Sequence, residues 1–407
     1  MTEFLTLDDV DVSGKTVLVR VDFNSPIDPE TKKIIDDTRI RMHAETIREL
    51  LEKGAKVVVL SHQGRPGQPD FIPLKQHAEI LEKVLGRLVK FVDDVYGEKA
   101  KEAIKSLKSG EILVLDNVRN FPEETKSKSP EEHAKSELVK SLAPLADIFV
   151  IDGFSVAHRS HASVVGFSAV LPTVAGRVME KELKALSKAL EKPEKPCVFV
   201  LGGAKAEKCI DIIDYALGND IADKVLTGGL VGHVFLAAKG VDIGEPNMKL
   251  LEKKGLAELI PKMKELLEKY AGRIEVPVDV AVDAEGERRE ISVEELPTNM
   301  PICDIGVRTV EKYAEILGNA KSIVISGPMG VYEKDLFVDG TKGVFKAAVE
   351  SGAFTLAGGG DTLAALRKAG LEGKVSYAST AGGAFIEYIS GKKLPAVEVL
   401  REAVKRK

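Results

Sequence analysis

Gly358, Gly359, Gly360, Asp361 and Thr362 stand between a strand-like run that begins at Thr355 and a helical one that ends near Gly370. Glycines at a strand-to-helix turn let bare backbone N–H groups approach a ligand. A helix N-terminus adds unpaired donors and the positive end of its dipole. A phosphate chain suits such a mouth. Asp361 would repel it unless a cation intervened, and Mg2+ typically binds through one or two carboxylates plus substrate phosphates. A tight turn needing glycine for packing alone explains one such loop equally well. It explains less well a half-chain whose strand-like runs end in Gly202-Gly203, Gly228-Gly229, Gly327, Gly358–Gly360 and Gly382-Gly383.

The other half offers different chemistry. Its strand-like runs end in Asp22–Asn24, Ser61–Arg65, Asp116–Arg119 and Asp152–His161. Arginine forks match carboxylate and phosphate oxygens bidentately. Arg39, Arg65, Arg119 and Arg159, if they converge on one cleft, would hold a small polyanion. Each taken singly is better explained by a surface ion pair. His62, His158 and His161 add donors. The pair His158 and His161 lacks helical context and a third ligand, which argues against zinc. Arg20, inside a strand, is expected to pair with a neighbouring acid. Lys205, just beyond Gly202-Gly203-Ala204, can reach a transferring phosphoryl group, or can be a solvated lysine at a helix start.

Periodicity supplies the elements that must carry these residues. Apolar runs at Thr16–Phe23, Lys56–His62, Glu111–Asn117 and Ala146–Phe154 alternate with helical spacing at Thr38–Gly54 and Leu74–Gly86. A charged helix, Arg177–Lys192, ends at the breaker Pro193–Pro196, and the alternation restarts. Its later strands are Cys197–Gly203, Ala222–Gly229, Ala320–Pro328, Ala353–Gly360 and Lys374–Thr380. Apolar strands alternating with amphipathic helices predict an α/β fold with parallel sheets covered on both faces. Ligands in such sheets bind beyond the carboxyl ends of the strands, where both residue sets lie.

With 407 residues, 44% of them apolar, the chain is long enough for two or three domains. A net charge of -5 argues against general nucleic-acid binding. Cys197, Cys209 and Cys303 are far apart, so a disulfide framework is not expected. The acidic start lacks the apolar core of a signal peptide, and no apolar run reaches the ~20 residues of a membrane span. A cytoplasmic protein is expected. The absence of Trp and 30% charged residues lean toward a thermophile.

Two familiar phosphate loops fail. Around Gly14-Lys15-Thr16, Asp9 stands where a Walker A loop needs its first glycine. A dinucleotide fingerprint starting at Gly358 and Gly360 meets Leu363 at its third glycine, with no acid near position 380. This speaks against the rival reading of a nicotinamide-dependent oxidoreductase. A second rival, a non-catalytic protein closing on an anion, explains the arginines but not the glycine-rich half.

Taken in order, RVDFNSPID, DDTRI, SHQGRP, DGFSVAHRSHAS, LGGAK, SGPMGVYE, GGGDT and STAGGAFIEYISGKKLP resemble phosphoglycerate kinases from Arg20 to about Leu400, most closely archaeal members. The resemblance implies two Rossmann-like, doubly wound parallel-sheet domains joined by a helix and hinge. Residues 1–176 would bind 3-phosphoglycerate or 1,3-bisphosphoglycerate. Residues 177–196 would link, 197–390 would bind ADP or ATP with Mg2+, and 391–407 would return to the first domain. It implies that Asp22, Phe23, Asn24, His62, Gln63, Gly64 and Arg65 line the glycerate site, and that Arg65, Arg119 and Arg159 bind the phosphate that stays. Arg39 and Lys205 would serve the transferred group. Gly203, Lys208, Glu333, Gly359, Gly360 and Thr362 would hold the nucleotide and Asp361 the magnesium. The implied activity is reversible in-line transfer from 1,3-bisphosphoglycerate to ADP in a closed interdomain cleft, a step of glycolysis and gluconeogenesis. Four features depart from the family pattern. Lys208 follows Lys205 after three residues instead of four, Ser326 stands for Asn, Ala381 stands for Gly, and Asn120 adds a residue between Arg119 and Phe121. Monomer and dimer both remain open.

Overall fold

The structure is a computed structural model in which residues 3–406 are described. The chain divides into two compact units. One runs to Leu183 and resumes at Lys393; the other is Lys184–Lys392. The division falls within the helix Arg177–Leu190, not at the proline breaker after it.

The first unit holds a six-stranded parallel sheet: β1 (Thr16–Arg20), β2 (Lys56–Leu60), β3 (Lys90–Val92), β4 (Ile112–Leu115), β5 (Ile148–Ile151) and β6 (Thr173–Ala175), in the order β3-β4-β2-β1-β5-β6. Every residue of β1, β4 and β5 is buried, as strands covered by helices on both faces require. Val17 lies opposite Val57 on one side and Ile148 on the other. The helix Thr38–Glu52 buries Ile40, Ala44, Ile47 and Leu51, a spacing that makes one stripe. Each large aliphatic side chain so buried contributes about 1.5–3 kcal/mol. The chain leaves that helix through Gly54 at φ 78°, where a side chain would be strained. From β1 it runs to β2 on one flank, while β5 returns on the other. The crevice at the end of β1 is therefore a topological switch point.

The second unit repeats the plan with β7 (Cys197–Leu201), β8 (Lys224–Thr227) and β9 (Ile274–Glu275). A three-stranded antiparallel sheet follows, β10 (Asp279–Ala284), β11 (Glu287–Ser292) and β12 (Ile302–Ile305), ordered β11-β10-β12. The parallel sheet is completed by β13 (Ser322–Ser326), β14 (Phe354–Gly358) and β15 (Tyr377–Ser379), in the order β15-β14-β13-β7-β8-β9. Its switch point lies between β7 and β13. The α/β class with two doubly wound parallel sheets is thus as the sequence implies; the antiparallel sheet is an addition. The helix Pro395–Lys405 packs in the first unit, where Ala396 N–H donates to Ala157 O at 3.1 Å.

The three cysteines are unpaired and buried, and burial pushes the thiols of Cys197 and Cys209 up to about 12, so they are inert. Among the described residues no helix is long and apolar enough to cross a membrane.

Buried His77 carries a testable pH dependence. Its ring stacks on Phe23, Nε2 meets Gln63 Oε1 at 3.0 Å, and Nδ1 is enclosed without a partner among the described residues. Burial pushes its pKa from 6.5 down to about 4. Between these values the unfolded chain binds the extra proton and the folded one does not. The stabilisation is therefore complete above about pH 6.5 and is lost as pH falls toward about 4. Melts at pH 7 and pH 5 are expected to show a smaller Tm drop for His77→Leu than for the wild type. Equal drops would contradict this.

Candidate functional site

At the end of β1, Asp22 is 2% exposed. Its Oδ2 accepts from Arg39 Nη1 at 2.5 Å and from Ser155 Oγ, and Oδ1 accepts from Asn24 N–H at 3.1 Å. Burial alone would raise the carboxyl pKa. Neighbouring positive charge and the Ser155 hydrogen bond outweigh it and hold the group below the usual carboxylate range. His62 stands 3.8 Å from Oδ1, but burial drives its own pKa well below 6.5, so at neutral pH it carries no charge. Arg39 is therefore the main counter-charge, with Arg20 adding to it. Arg20 reaches His62 Nδ1 at 3.3 Å. A guanidinium only donates, so that nitrogen accepts and the ring proton sits on Nε2.

Arginines crowd this crevice. Arg20 is 1% exposed. Its Nε donates to Ser163 Oγ at 2.8 Å, and Ser163 Oγ in turn donates to Glu124 Oε1 at 2.6 Å. The acid expected beside Arg20 is thus reached through a serine. Arg119 is half-buried in the turn Val118–Asn120, whose cap is Asn117, and donates to Gly64 O. Burial, then Arg159 and Arg20, push its pKa down to about 10, with Arg65 adding to the effect. Arg159 is lowered by burial and by Arg65 and Arg39. His161 is pushed down to about 3 by burial and then by Arg20, Arg159 and Arg119. Like charges held this close in a partly dry crevice make a site that favours an anion.

Not every residue expected there can touch a ligand with its side chain. Phe23 is fully buried and stacked on His77. Gln63 is also fully buried, with its amide holding Ser25, Asp70 and His77. Both shape the loop. Gly64 needs its positive φ of 62°, and a Cβ there would meet Asp70 O at 2.4 Å. Arg65 is exposed, while Arg39, Arg119 and Arg159 are intermediate and sit at the rim.

In the second unit, the helices Ala206–Gly218, Gly360–Lys368 and Gly383–Ile389 point their N-termini into one cavity of about 320 Å3. No side chain among the described residues caps any of the three. Helix starts leave first-turn N–H groups without intrahelical partners; here Lys208 N–H is already given to Lys205 O at 3.1 Å and Ala384 N–H to Ala381 O at 3.3 Å. Lys205, Lys208, Gly359, Gly360, Asp361 and Thr362 line the cavity, and Lys205 and Asp361 are exposed. A second cavity of about 290 Å3 shares Gly203, Ala204 and Asp361 with it and is otherwise bordered by Leu230, Leu250, Val331, Tyr332 and Glu333. A charged mouth beside a partly apolar slot has the shape of a nucleotide site.

The glycines divide into two kinds. A Cβ on Gly202 would meet Pro328 O at 2.1 Å, one on Gly327 would meet Gly202 O at 2.2 Å, and one on Gly358 would meet the Phe385 ring at 2.5 Å. Backbone packing alone demands these. Gly203 borders both cavities, but its N–H is already given to Pro328 O at 2.7 Å. At Gly360 and Gly382 a Cβ would meet nothing within 4 Å, and at Gly359 only Thr362 Oγ1 at 3.5 Å. Around these positions the approach to backbone amides is open.

Residues that sequence reasoning did not single out complete the first site: Ser155, Ser163 and Glu124, together with His43 and Asp152. Asp152, Ser155 and Ser163 all lie in the stretch DGFSVAHRSHAS, but only Asp152, which ends an apolar run as Asp22 does, had a positional signal of its own.

Known proteins resemble this chain along nearly its whole length. The family model described as Phosphoglycerate kinase matches residues 7–392. A phosphoglycerate kinase from Methanothermobacter thermautotrophicus is 48% identical over 401 residues, covering 98% of this chain and 97% of the relative. One from Sulfurisphaera tokodaii is 46% identical over 395 residues, covering 97% and 95%. The crystal structure of the Pyrococcus horikoshii OT3 phosphoglycerate kinase superposes with a TM-score of 0.88 at 42% identity, covering 99% of this chain and 100% of that one. The Coxiella burnetii enzyme gives 0.86 at 34% identity over 98% and 99%. With both switch-point sites in place and this similarity along its length, the chain belongs to the phosphoglycerate kinase family of phosphotransferases.

Proposed function

We propose that the protein transfers a phosphoryl group reversibly between 1,3-bisphosphoglycerate and ADP, giving 3-phosphoglycerate and ATP, within cytoplasmic glycolysis and gluconeogenesis. The observation that carries this is the crowd of partly buried arginines at the end of β1, which lower one another's pKa. Such a site favours a small polyanion as guest. Arg65, Arg119 and Arg159 bind the phosphate that stays, and Asn24 and His62 contact the glycerate. Arg39 gives Asp22 one of its five N–H donors, which leaves others for the transferred group.

On the nucleotide side, Gly359, Gly360 and Thr362 receive the phosphates and Glu333 the ribose. Lys205 meets the transferred phosphoryl, and Lys208 borders the same cavity. Asp361 is the residue that would hold Mg2+. One exposed carboxylate beside open amides fits a cation bound mainly through phosphate oxygens, and among the described residues no group of three or more His, Cys, Asp or Glu could hold a metal alone. Bound there, Mg2+ supplies charge neutralisation on the phosphates.

In-line transfer needs little covalent help. Positioning and charge neutralisation lower the barrier, and exclusion of water protects the acyl phosphate from hydrolysis. Arg39 and Lys205 lie on different units, so turnover requires that the two be presented to one another.

Asp361→Ala is expected to raise the KM for Mg-ATP by about 10-fold or more, with the KM for 3-phosphoglycerate unchanged. An unchanged nucleotide KM removes Asp361 from the metal site. A coupled assay with 3-phosphoglycerate and Mg-ATP tests the reading as a whole. Thermal shift with Mg-ADP but not with a nicotinamide dinucleotide separates it from an oxidoreductase.

A further inference from the structure

Asp22 is gripped at two points by one helix. Arg39, in the first turn of Thr38–Glu52, holds its carboxylate at 2.5 Å. His43, one turn on and 3% exposed, holds its main chain: Asp22 N–H donates to His43 Nε2 at 3.1 Å. An imidazole nitrogen that accepts carries no proton, so the proton lies on Nδ1. That nitrogen faces Asp152 Oδ2 at 2.6 Å.

Asp152 is fully buried at the end of β5 and engaged on both oxygens. Its Oδ1 accepts from Thr46 Oγ1 at 2.8 Å and from Val178 N–H at 3.0 Å. Thr46 Oγ1 in turn accepts from Arg177 N–H at 2.9 Å. The backbone just before that helix is pressed onto the carboxylate, since a Cβ on Gly176 would lie 2.1 Å from Oδ1. One acid thus ties the end of β5, the helix bearing Arg39 and the first turn of Arg177–Leu190. It also dictates which nitrogen of His43 can receive Asp22.

We propose that His43 and Asp152 are positioning residues for phosphoryl transfer: the pair fixes the main chain of Asp22 and, through its carboxylate, the direction in which Arg39 presents its guanidinium. The proposal rests on the kinase reading above. Neither residue touches substrate; both act through Asp22 and Arg39.

Asp152→Asn tests this with almost no change of shape. An amide in this place must turn its NH2 either to the Val178 N–H or to the His43 Nδ1–H, and both are donors. If the imidazole yields by shifting its proton to Nε2, that proton meets the Asp22 N–H instead. D152N is expected to lower kcat between about 10-fold and 10²-fold, the scale of a misplacement near 1 Å, with the KM for Mg-ATP unchanged. In an Arg39→Ala background the same substitution is expected to cost nothing further, because the group it positions is gone.

A purely structural role predicts equal losses in both backgrounds, or a lowered Tm with kcat intact, and either result overturns the proposal. His43→Leu runs the same cycle from the other end if D152N does not fold. Nitrogen-15 NMR of the wild-type imidazole is expected to show Nδ1 protonated and Nε2 bare; the opposite tautomer also overturns it. Wild-type protein without kinase turnover would instead sink the functional reading, and the NMR result would then judge the hydrogen-bond pair separately.

Discussion

Arg39→Ala is expected to lose on the order of 10³-fold in kcat, the low end of what an arginine stabilising a transferred phosphoryl group contributes, with a modest change in the KM for 3-phosphoglycerate. Arg39 has two duties. It presents donors at the rim of the first site, and it is the main counter-charge of Asp22, which is 2% exposed. Removing it leaves a buried carboxylate without its hydrogen-bonded cation, with only the more remote charge of Arg20 acting on it, so a fall in Tm is expected as well. Arg39→Lys separates the duties. An ammonium restores the charge beside Asp22 and most of the Tm. It lacks the planar fork, so kcat stays low. If Arg39→Ala keeps its kcat and only the KM rises, Arg39 binds substrate and the transfer mechanism is wrong.

The second large effect is a trade of binding against stability at Arg119. Its guanidinium is lowered to about 10, by burial first and then by Arg159 and Arg20. Without an anion these charges strain the fold. Arg119→Met removes one of them while keeping a long apolar stem. The Tm of ligand-free protein is expected to rise, despite the lost hydrogen bond to Gly64 O. The protection that inorganic phosphate or 3-phosphoglycerate gives the wild type is expected to vanish. The KM for 3-phosphoglycerate is expected to rise between about 10-fold and 10²-fold, as loss of charge-assisted hydrogen bonds worth about 1.5–3 kcal/mol implies. A variant with lower ligand-free stability and full phosphate protection would show that Arg119 is a structural residue.

The parallel halves were legible in the sequence for a physical reason. Strands such as Thr16–Arg20 and Cys197–Leu201 are buried on both faces, so they read as unbroken apolar runs. The antiparallel sheet was not, because β11 is a polar strand, Glu287–Ser292, with no buried residue and no apolar alternation to betray it. Its hairpin turns at Glu285 and Gly286, both of which take positive φ in the structure. The rim arginines were legible because Arg119 and Arg159 follow strand ends and Arg39 opens a helix. The network behind them was not, since Arg20 and Ser163 meet across 143 residues of sequence and no spacing rule joins them. The glycines misled in part. Gly202, Gly327 and Gly358 are there because backbone and ring leave no room, whereas around Gly359, Gly360 and Gly382 the space a phosphate needs is left open.

The central claim is that the arginine crevice and the three uncapped helix N-termini receive the two partners of a single phosphoryl transfer. The most direct measurement incubates the purified protein with 3-phosphoglycerate, Mg2+ and ATP labelled in its γ-phosphate, and traps the acyl phosphate formed. Label is expected in the acyl phosphate of 1,3-bisphosphoglycerate, at a rate that falls with Arg39→Ala. Label found only in free phosphate, or equal yields from both proteins, would contradict the account.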